Sequence, residues 1–219
     1  MSVTQKLLAE FIGTFTLIFI GVASICIGSG GLTGVALAHG LAIAVMVSAL
    51  GYISGGFFNP AVTVGAWVGG HIDSKNALRY IIAQLAGGYA GALAVKATIP
   101  ANLIDAVKFG TPMLSPDVSM GAGILIELIL TFFLVLVVYG TAIDSRAAKV
   151  GGLFIGLTIT LDILAAGPLT GASMNPARTF GPALAGGYWN DHIVYWIGPI
   201  LGGALAGIVH RYILGKQSA

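Results

Sequence analysis

The chain has 219 residues, of which 57% are hydrophobic and only 8% are charged, with a formal net charge of +2 and a mean hydropathy of +0.95. A soluble domain carries about 25% charged residues, so this composition excludes most soluble enzymes and binding modules, and it excludes a disordered chain. The low net charge and scattered basic residues argue against a nucleic-acid partner, and we expect membrane lipid around most of the chain.

Six apolar segments approach the ~20 residues that a helix needs to cross a bilayer. They lie at approximately residues 7–27, 33–53, 77–98, 119–143, 150–166 and 193–214. The first segment has no small-residue cleavage site after it, so we interpret it as a retained helix and not as a signal peptide. These segments predict an all-α membrane protein with six transmembrane helices.

Two shorter apolar segments, at about 59–68 and 175–184, begin with the same Asn-Pro-Ala tripeptide. The tripeptides are Asn59-Pro60-Ala61 and Asn175-Pro176-Ala177. Asn is a good N-cap and Pro fits the first helical position, so each tripeptide predicts the start of a helix. Neither segment can cross ~30 Å of hydrocarbon at 1.5 Å per residue. We predict two re-entrant half-helices, preceded by extended glycine-rich loops at 54–56 and 167–171 that line a pore.

An internal repeat relates two halves of one predicted channel domain, about residues 1–100 and 117–219. The segment Glu-Phe-Ile-Gly-Thr-Phe from Glu10 matches Glu-Leu-Ile-Leu-Thr-Phe from Glu127 at an offset of 117, and the two Asn-Pro-Ala motifs match at 116. Tyr80 and the glycine pair at 87–88 match Tyr195 and the pair at 202–203 at 115. Because each half holds an odd number of spans, the second half is predicted to cross in the opposite direction, as an inverted repeat.

The basic residues predict the orientation of the chain. With the amino terminus inside, seven of the ten basic residues face the cytoplasm, and Lys96, Lys108 and Arg178 lie elsewhere. The seven are Lys6, Lys75, Arg79, Arg146, Lys149, Arg211 and Lys216. We therefore expect both termini in the cytoplasm, with the protein in a plasma or inner membrane. Lys96 fits this rule least well, and we interpret it as a side chain that extends to the outer interface.

The amino termini of the two half-helices are predicted to meet near the middle of the membrane. Each end carries roughly half a positive charge, so cations and protons are disfavoured there. The amides of Asn59 and Asn175 can also donate to a single file of water and prevent it from relaying a proton. Arg178 places a fixed cation nearby. The alternatives are that both Asn side chains only cap helices and that Arg178 lies at the surface.

The duplicated acids Glu10 and Glu127 are costly inside a membrane and need internal partners. Their matched positions predict that they accept hydrogen bonds from the loops before the half-helices. A proton-coupled secondary transporter, which would use these acids or Asp162 as coupling groups, is the alternative from another functional class. A structural or closed member without transport is a further alternative. The sequence gives Asp162 no pore role.

The doubled Asn-Pro-Ala motif, the arginine after the second copy and the two Glu-x-x-x-Thr-Phe segments resemble the aquaporin family over essentially the whole chain. The resemblance implies six tilted helices with two half-helices, and a homotetramer in which each protomer has its own water pore. It further implies a passive channel and not an enzyme, with no cofactor, no metal and no catalytic residues.

The same resemblance assigns an outer selectivity filter to His39, Ile163, Ala172 and Arg178. This set is similar to that of plant tonoplast intrinsic proteins, a branch associated with water, ammonia and other small neutral solutes. A strictly water-selective channel is the alternative. Phe57 departs from the family, which often has His at this position, and it predicts a narrower or less polar inner side.

Overall fold

The computed structural model describes residues 1–28, 30–146 and 150–215. Two of the basic residues used to predict the orientation, Lys149 and Lys216, lie outside this part of the chain. The described residues form helices and no strand. The helices are α1 (Val3–Ile27), α2 (Gly31–Ser54), α3 (Pro60–Val68), α4 (Ser74–Thr98), α5 (Ala101–Ala106), α6 (Met120–Val138), α7 (Gly151–Thr170), α8 (Pro176–Gly186) and α9 (Val194–Val209).

Six of these helices are long and apolar enough to cross a membrane, which confirms the predicted spans. They are α1, α2, α4, α6, α7 and α9, where π-helical turns at Tyr139–Ile143 and His210–Leu214 extend α6 and α9. The two predicted half-helices, α3 and α8, have only nine and eleven residues and are too short to span a membrane. The chain is therefore an all-α membrane protein with six spans and two half-helices.

The predicted extended loop at 167–171 is wrong, because α7 continues through Thr170. Its last turn is fixed by distant contacts: the Thr170 hydroxyl donates to Glu127 at 2.7 Å, and the Tyr195 hydroxyl donates to the Thr170 carbonyl at 2.7 Å. Gly171 then ends the helix in the left-handed conformation, with φ of 83°. Residues 101–106 also form a short helix that the sequence did not predict.

The two half-helices meet end to end in the interior of the protein. Each begins with its predicted Asn cap: the Asn59 side-chain oxygen accepts from the Ala61 amide at 2.8 Å, and that of Asn175 from the Ala177 amide at 3.0 Å. The Asn59 amide group donates to the Met174 carbonyl at 2.8 Å, and the Asn175 amide group donates to the Phe58 carbonyl at 3.0 Å. These crossed bonds join the two amino-terminal ends directly.

Glycines let the long helices approach the half-helices closely. A Cβ placed on Gly88 of α4 would lie 2.8 Å from the carbonyl oxygen of Ala177 in α8, and one on Gly203 of α9 would lie 2.3 Å from that of Ala61 in α3. The preceding glycine of each pair, at 87 and 202, packs equally tightly against the backbone of α1 and α6. The repeated glycine pair therefore allows α4 and α9 to pack closely both against a spanning helix of the same half and against a half-helix.

Replacing Gly203 with alanine is expected to destabilise the protein by ~1–3 kcal/mol, because the Ala61 backbone has no room to move away from the new methyl group. Thermal unfolding in detergent measures the effect. Gly121→Ala is the matched control, since Gly121 is also helical but has nothing within 4 Å of its Cβ position. Equal melting temperatures for the two variants would contradict this account of the packing.

The amino terminus, the end of the α9 span and the turns at 69–73 and 139–146 lie on one side of the bundle, called here the terminal face. Asp144 follows the π turn of α6 and contacts His210 at 3.2 Å and the Arg146 guanidinium. Hydrogen bonds from Arg146 hold the pKa of the Asp144 carboxyl well below its ordinary value, with a smaller contribution from His210. This pairing ties the ends of α6 and α9 together. The end of α1, the segment at 99–119 and the loop at 187–193 lie on the opposite face.

Candidate functional site

A narrow cavity runs through the centre of the bundle where the half-helices meet. About 30 Å³ of it is open to a water-sized molecule, which is room for about two waters at ~10–15 Å³ each. Its lining includes Leu17, His39, Ile43, Phe57, Asn59, Val62, Ile159, Ile163, Ala172, Asn175 and Arg178. The lining is mostly apolar, with polar groups at a few positions.

Wider cavities adjoin both ends of this passage. One, of about 460 Å³, opens on the opposite face, and His39, Ile163 and Arg178 line both it and the central cavity. The other, of about 230 Å³, opens on the terminal face and shares Phe57 with the central cavity. The cavities therefore follow one another from face to face, with the filter residues at one junction and Phe57 at the other.

Asn59 and Asn175 both line the central cavity. The oxygen of each side chain accepts from its own helix, and one N–H of each amide donates to the loop before the other half-helix. An amide nitrogen carries two N–H groups, so each Asn has a second donor available to a molecule in the cavity. The neighbouring residues of the motifs, Pro60, Ala61, Pro176 and Ala177, are buried behind the lining.

The loop before each half-helix contains a bulky residue in the left-handed conformation, which such residues rarely adopt. These are Phe58, with φ of 49°, and Met174, with φ of 53°. Both side chains are buried. A conformation of this kind persists only where its surroundings hold it in place. The two acids of the repeat supply that restraint.

Glu10 holds the first loop and Glu127 holds the second, and both acids are fully buried. Glu10 accepts from the amides of Phe57 and Phe58 at 3.1 and 2.7 Å. It also accepts from the Ser54 hydroxyl and the Gln84 amide. Glu127 accepts from the Ser173 and Met174 amides at 2.9 and 2.7 Å, and from Thr170. Neither acid lines the central cavity.

Arg178 is held at the mouth of the central cavity by two contacts and is only 4% exposed. Its Nη1 donates to the Gly110 carbonyl at 2.9 Å, and its Nη2 lies 3.4 Å from His39 Nε2. His39 Nδ1 lies 2.8 Å from the Val35 carbonyl oxygen. We therefore assign the ring proton to Nδ1, which leaves Nε2 as the acceptor facing Arg178.

Ile163 and Ala172 complete the lining next to Arg178. Ile163 lines both the central cavity and the opposite-face cavity, whereas Ala172 lines the central cavity alone. Ala172 has φ of 43°, and its backbone N–H donates to the Thr170 hydroxyl oxygen at 3.0 Å. All four residues assigned to the filter therefore line the central cavity, and they comprise a cation, a ring-nitrogen acceptor and two apolar side chains.

The sequence did not predict the contribution of the loop at 107–111. Gly110 supplies the carbonyl that fixes Arg178, and the neighbouring Thr111 hydroxyl is buried against the opposite-face cavity. Among the described residues, no group bonds to that hydroxyl. The contact between Gly110 and Arg178 joins residues 68 positions apart, so no local sequence pattern could reveal it.

Phe57 lies where the central cavity meets the cavity of the terminal face. Its ring packs edge-on against Tyr80, with 5.8 Å between the centroids. The Tyr80 hydroxyl donates to the Ser54 carbonyl at 2.9 Å, which fixes the aromatic pair against the end of α2. An apolar ring therefore borders the passage on this side.

Asp162 is buried but is not part of the cavity lining. It is 1% exposed, and neither of its carboxyl oxygens has a hydrogen-bond partner within the described part of the chain.

The described residues also contain no cluster of three His, Cys, Asp or Glu side chains that could hold a metal ion.

The profile of the major intrinsic protein family matches residues 1–210. The chain belongs to this family. It is 46% identical to "Aquaporin TIP4-4" of Zea mays over 227 aligned residues, which cover 97% of this chain and 88% of the relative. It is 44% identical to "Probable aquaporin TIP3-2" of Arabidopsis thaliana, with coverage of 94% and 82%. The resemblance to plant tonoplast intrinsic proteins is thus confirmed.

The fold is similar to that of a solved aquaglyceroporin from Plasmodium falciparum. The two chains superpose with a TM-score of 0.85 and share 26% sequence identity, and the match covers 97% of each. The six spans and two half-helices are therefore an arrangement common to this major intrinsic protein and that channel.

Proposed function

We propose that this major intrinsic protein is a passive water channel that excludes protons and ions and also passes ammonia. The observation that carries the proposal is the meeting of two half-helix amino termini in one narrow cavity, with Asn59 and Asn175 in its lining. The aquaporin names of its relatives support the same function.

Two features of the cavity support proton exclusion. Both half-helices direct their positive ends to its centre, which disfavours a cation there. The free N–H groups of Asn59 and Asn175 donate to the oxygen of a water molecule between them. That water then points its own hydrogens away along the passage and cannot accept a proton from its neighbour.

The filter supports passage of a small neutral base such as ammonia. His39 Nε2 offers an acceptor, Arg178 offers donors, and Ile163 supplies an apolar wall. A fixed guanidinium repels ammonium while its N–H groups can bind the lone pair of ammonia or water. Because His39 uses its only ring proton on the Val35 carbonyl, its Nε2 can only accept, either from Arg178 or from a molecule in the passage.

Osmotic shrinkage of proteoliposomes, followed by stopped-flow light scattering, tests the water channel. Vesicles with the protein are expected to shrink several times faster than empty vesicles, and the rate is expected to depend only weakly on temperature. Shrinkage at the rate of empty vesicles would contradict the proposed function and would favour a closed or structural role.

His39→Phe is expected to abolish most of the ammonia flux while water flux changes by less than about threefold, because an aromatic ring fills the mouth and removes the acceptor. Ammonia entry is measured with a pH dye inside the same vesicles. Ala36→Ser, a small change at a buried position of the same helix outside the cavity, is the control. Undiminished ammonia entry in the His39 variant would mean that this filter does not select the solute.

Phe57→Ala is expected to raise water permeability by about two- to fivefold, because it removes the apolar ring between the central cavity and the terminal-face cavity. The Tyr80→Phe variant keeps both rings and serves as the control for the aromatic pair. An unchanged rate in the Phe57 variant would show that the passage is not limited on this side.

The alternative of a proton-coupled transporter receives less support from the site. Glu10 and Glu127 are surrounded by donors from their own loops and lie outside the cavity lining. Asp162 also lies outside that lining. A coupling acid must exchange its proton with the transported pathway, and none of the three acids faces it.

We further propose one channel domain built from two inverted repeats, assembled as a homotetramer with a pore in each protomer and both termini in the cytoplasm. Six apolar helices make the chain a multi-pass integral membrane protein. The expectation of a plasma membrane is not supported, since the relatives are plant tonoplast intrinsic proteins. Protease accessibility of a carboxy-terminal tag in sealed vesicles tests the orientation.

A further inference from the structure

Two exposed cations contact the far ends of the two half-helices. Lys96 Nζ donates to the Ala185 carbonyl of α8 at 3.1 Å, and Arg211 Nη1 donates to the Val68 carbonyl of α3 at 3.1 Å. Lys96 lies near the end of α4 and Arg211 near the end of the α9 span. Each contact joins a spanning helix to the half-helix that packs against it.

The two contacts occupy corresponding positions in the internal repeat. Lys96 and Arg211 are 115 residues apart, the same offset that relates the glycine pairs of α4 and α9. Their acceptors, Val68 and Ala185, are 117 residues apart. Different side chains thus make the same contact in both halves, on opposite faces of the bundle. If the two side chains only extended toward water, they would not be expected to donate to corresponding half-helix carbonyls in both repeats.

The contacts satisfy groups that the half-helices leave unpaired. The last four carbonyls of a helix have no partner within it. In α3, backbone amides of the following turn reach the carbonyls of Gly65, Ala66 and Trp67, and Arg211 reaches that of Val68. In α8, the amide of Gly187 reaches Ala183, and Lys96 reaches Ala185.

We propose that Lys96 and Arg211 are positioning residues that anchor the outward ends of the half-helices and strengthen the barrier to cations at the pore centre. This inference rests on the proposed water channel. A helix of nine or eleven residues is marginal by itself, so its direction depends on contacts at both ends. The crossed Asn bonds hold the inner ends, and the two cations hold the outer ends.

The cations also act on the field along the pore. The outward end of a half-helix carries about half a negative charge, which partly cancels the effect of its positive end at the pore centre. A cation on that outward end offsets the negative charge. Both side chains are exposed, so solvent screens the effect and its size is modest. Removing the two cations should therefore lower the barrier to protons while water continues to pass.

The test uses Lys96→Gln, Arg211→Gln and the double variant in proteoliposomes. Water flux is measured by light scattering, and proton flux is measured with an internal pH dye under a potassium diffusion potential. Lys96→Arg and Arg211→Lys keep the charge. Lys108→Gln and Lys75→Gln remove cations that donate to no half-helix within the described structure, and they control for surface charge.

The double variant is expected to show a ratio of proton to water flux about three- to tenfold above that of the native protein. Each single glutamine variant should show about a twofold rise, and the charge-keeping and control variants should match the native ratio. A native ratio in the double variant, with native water flux, would overturn the inference and leave the water channel intact. Absent water flux in the native protein would instead overturn the proposed function.

Hydrogen exchange of the half-helix ends provides a second measurement that does not require an active double variant. Lys96→Gln is expected to speed exchange of the amide of Gly187, which bonds to the last turn of α8, whereas Lys108→Gln should not. Equal exchange in the two variants would also overturn the inference.

Discussion

Replacing Arg178 with valine is expected to raise proton flux relative to water flux at least about tenfold. The substitution removes a fixed, 96%-buried cation from the mouth of the passage and leaves a wider, apolar opening. It also leaves the Gly110 carbonyl and His39 Nε2 without the donor that they share in the native protein. Larger neutral solutes such as urea should enter faster as well.

Proton and urea fluxes of the Arg178→Val variant are measured in the vesicles used for water flux. Lys108→Gln removes an exposed cation from the same face and is the matched control. If the valine variant excluded protons and urea as well as the control does, then Arg178 would not belong to the selectivity filter.

Glu127→Gln is expected to cost roughly 2–4 kcal/mol of stability and to abolish most of the water flux. A glutamine side chain has only one acceptor oxygen, and its NH₂ group would face the donors that now reach the other carboxylate oxygen. The Met174 amide would then lose its partner, and the strained loop before α8 would lose its restraint.

Thr131→Val is the control for the Glu127 variant. Thr131 lies one turn further along α6, is equally buried, and its hydroxyl has no hydrogen-bond partner in the part of the chain that the structure describes. The valine variant should unfold at or above the native temperature. If both variants kept native stability and water flux, the second loop would not depend on Glu127.

Local chemistry made the half-helices predictable from sequence. An Asn cap followed by proline specifies a helix start without reference to the rest of the chain, and both starts occur where predicted. The six spans were equally predictable, because their length and hydropathy reflect the thickness of the membrane. Matched positions in the repeat then indicated which buried acid accepts hydrogen bonds from which loop.

Long-range contacts account for what sequence reasoning missed. The end of α7 was predicted too early because Thr170 is held by Glu127 and Tyr195, which lie far away in the chain. The Gly110 carbonyl and the carbonyls at the half-helix ends are backbone groups, so no residue type marks them as contacts. Lys96 fitted the charge rule for orientation poorly, and the sequence could not show that it donates to the Ala185 carbonyl of α8.

The central claim is that one passage conducts water and excludes protons. The most direct test measures both fluxes in the same sealed proteoliposomes, under an osmotic gradient and an imposed membrane potential. We expect water flux well above that of empty vesicles, unaffected by a pH gradient, and proton flux equal to that of empty vesicles. Proton flux that rises with the amount of protein, or solute uptake that saturates and follows the pH gradient, would contradict a passive, proton-excluding water channel.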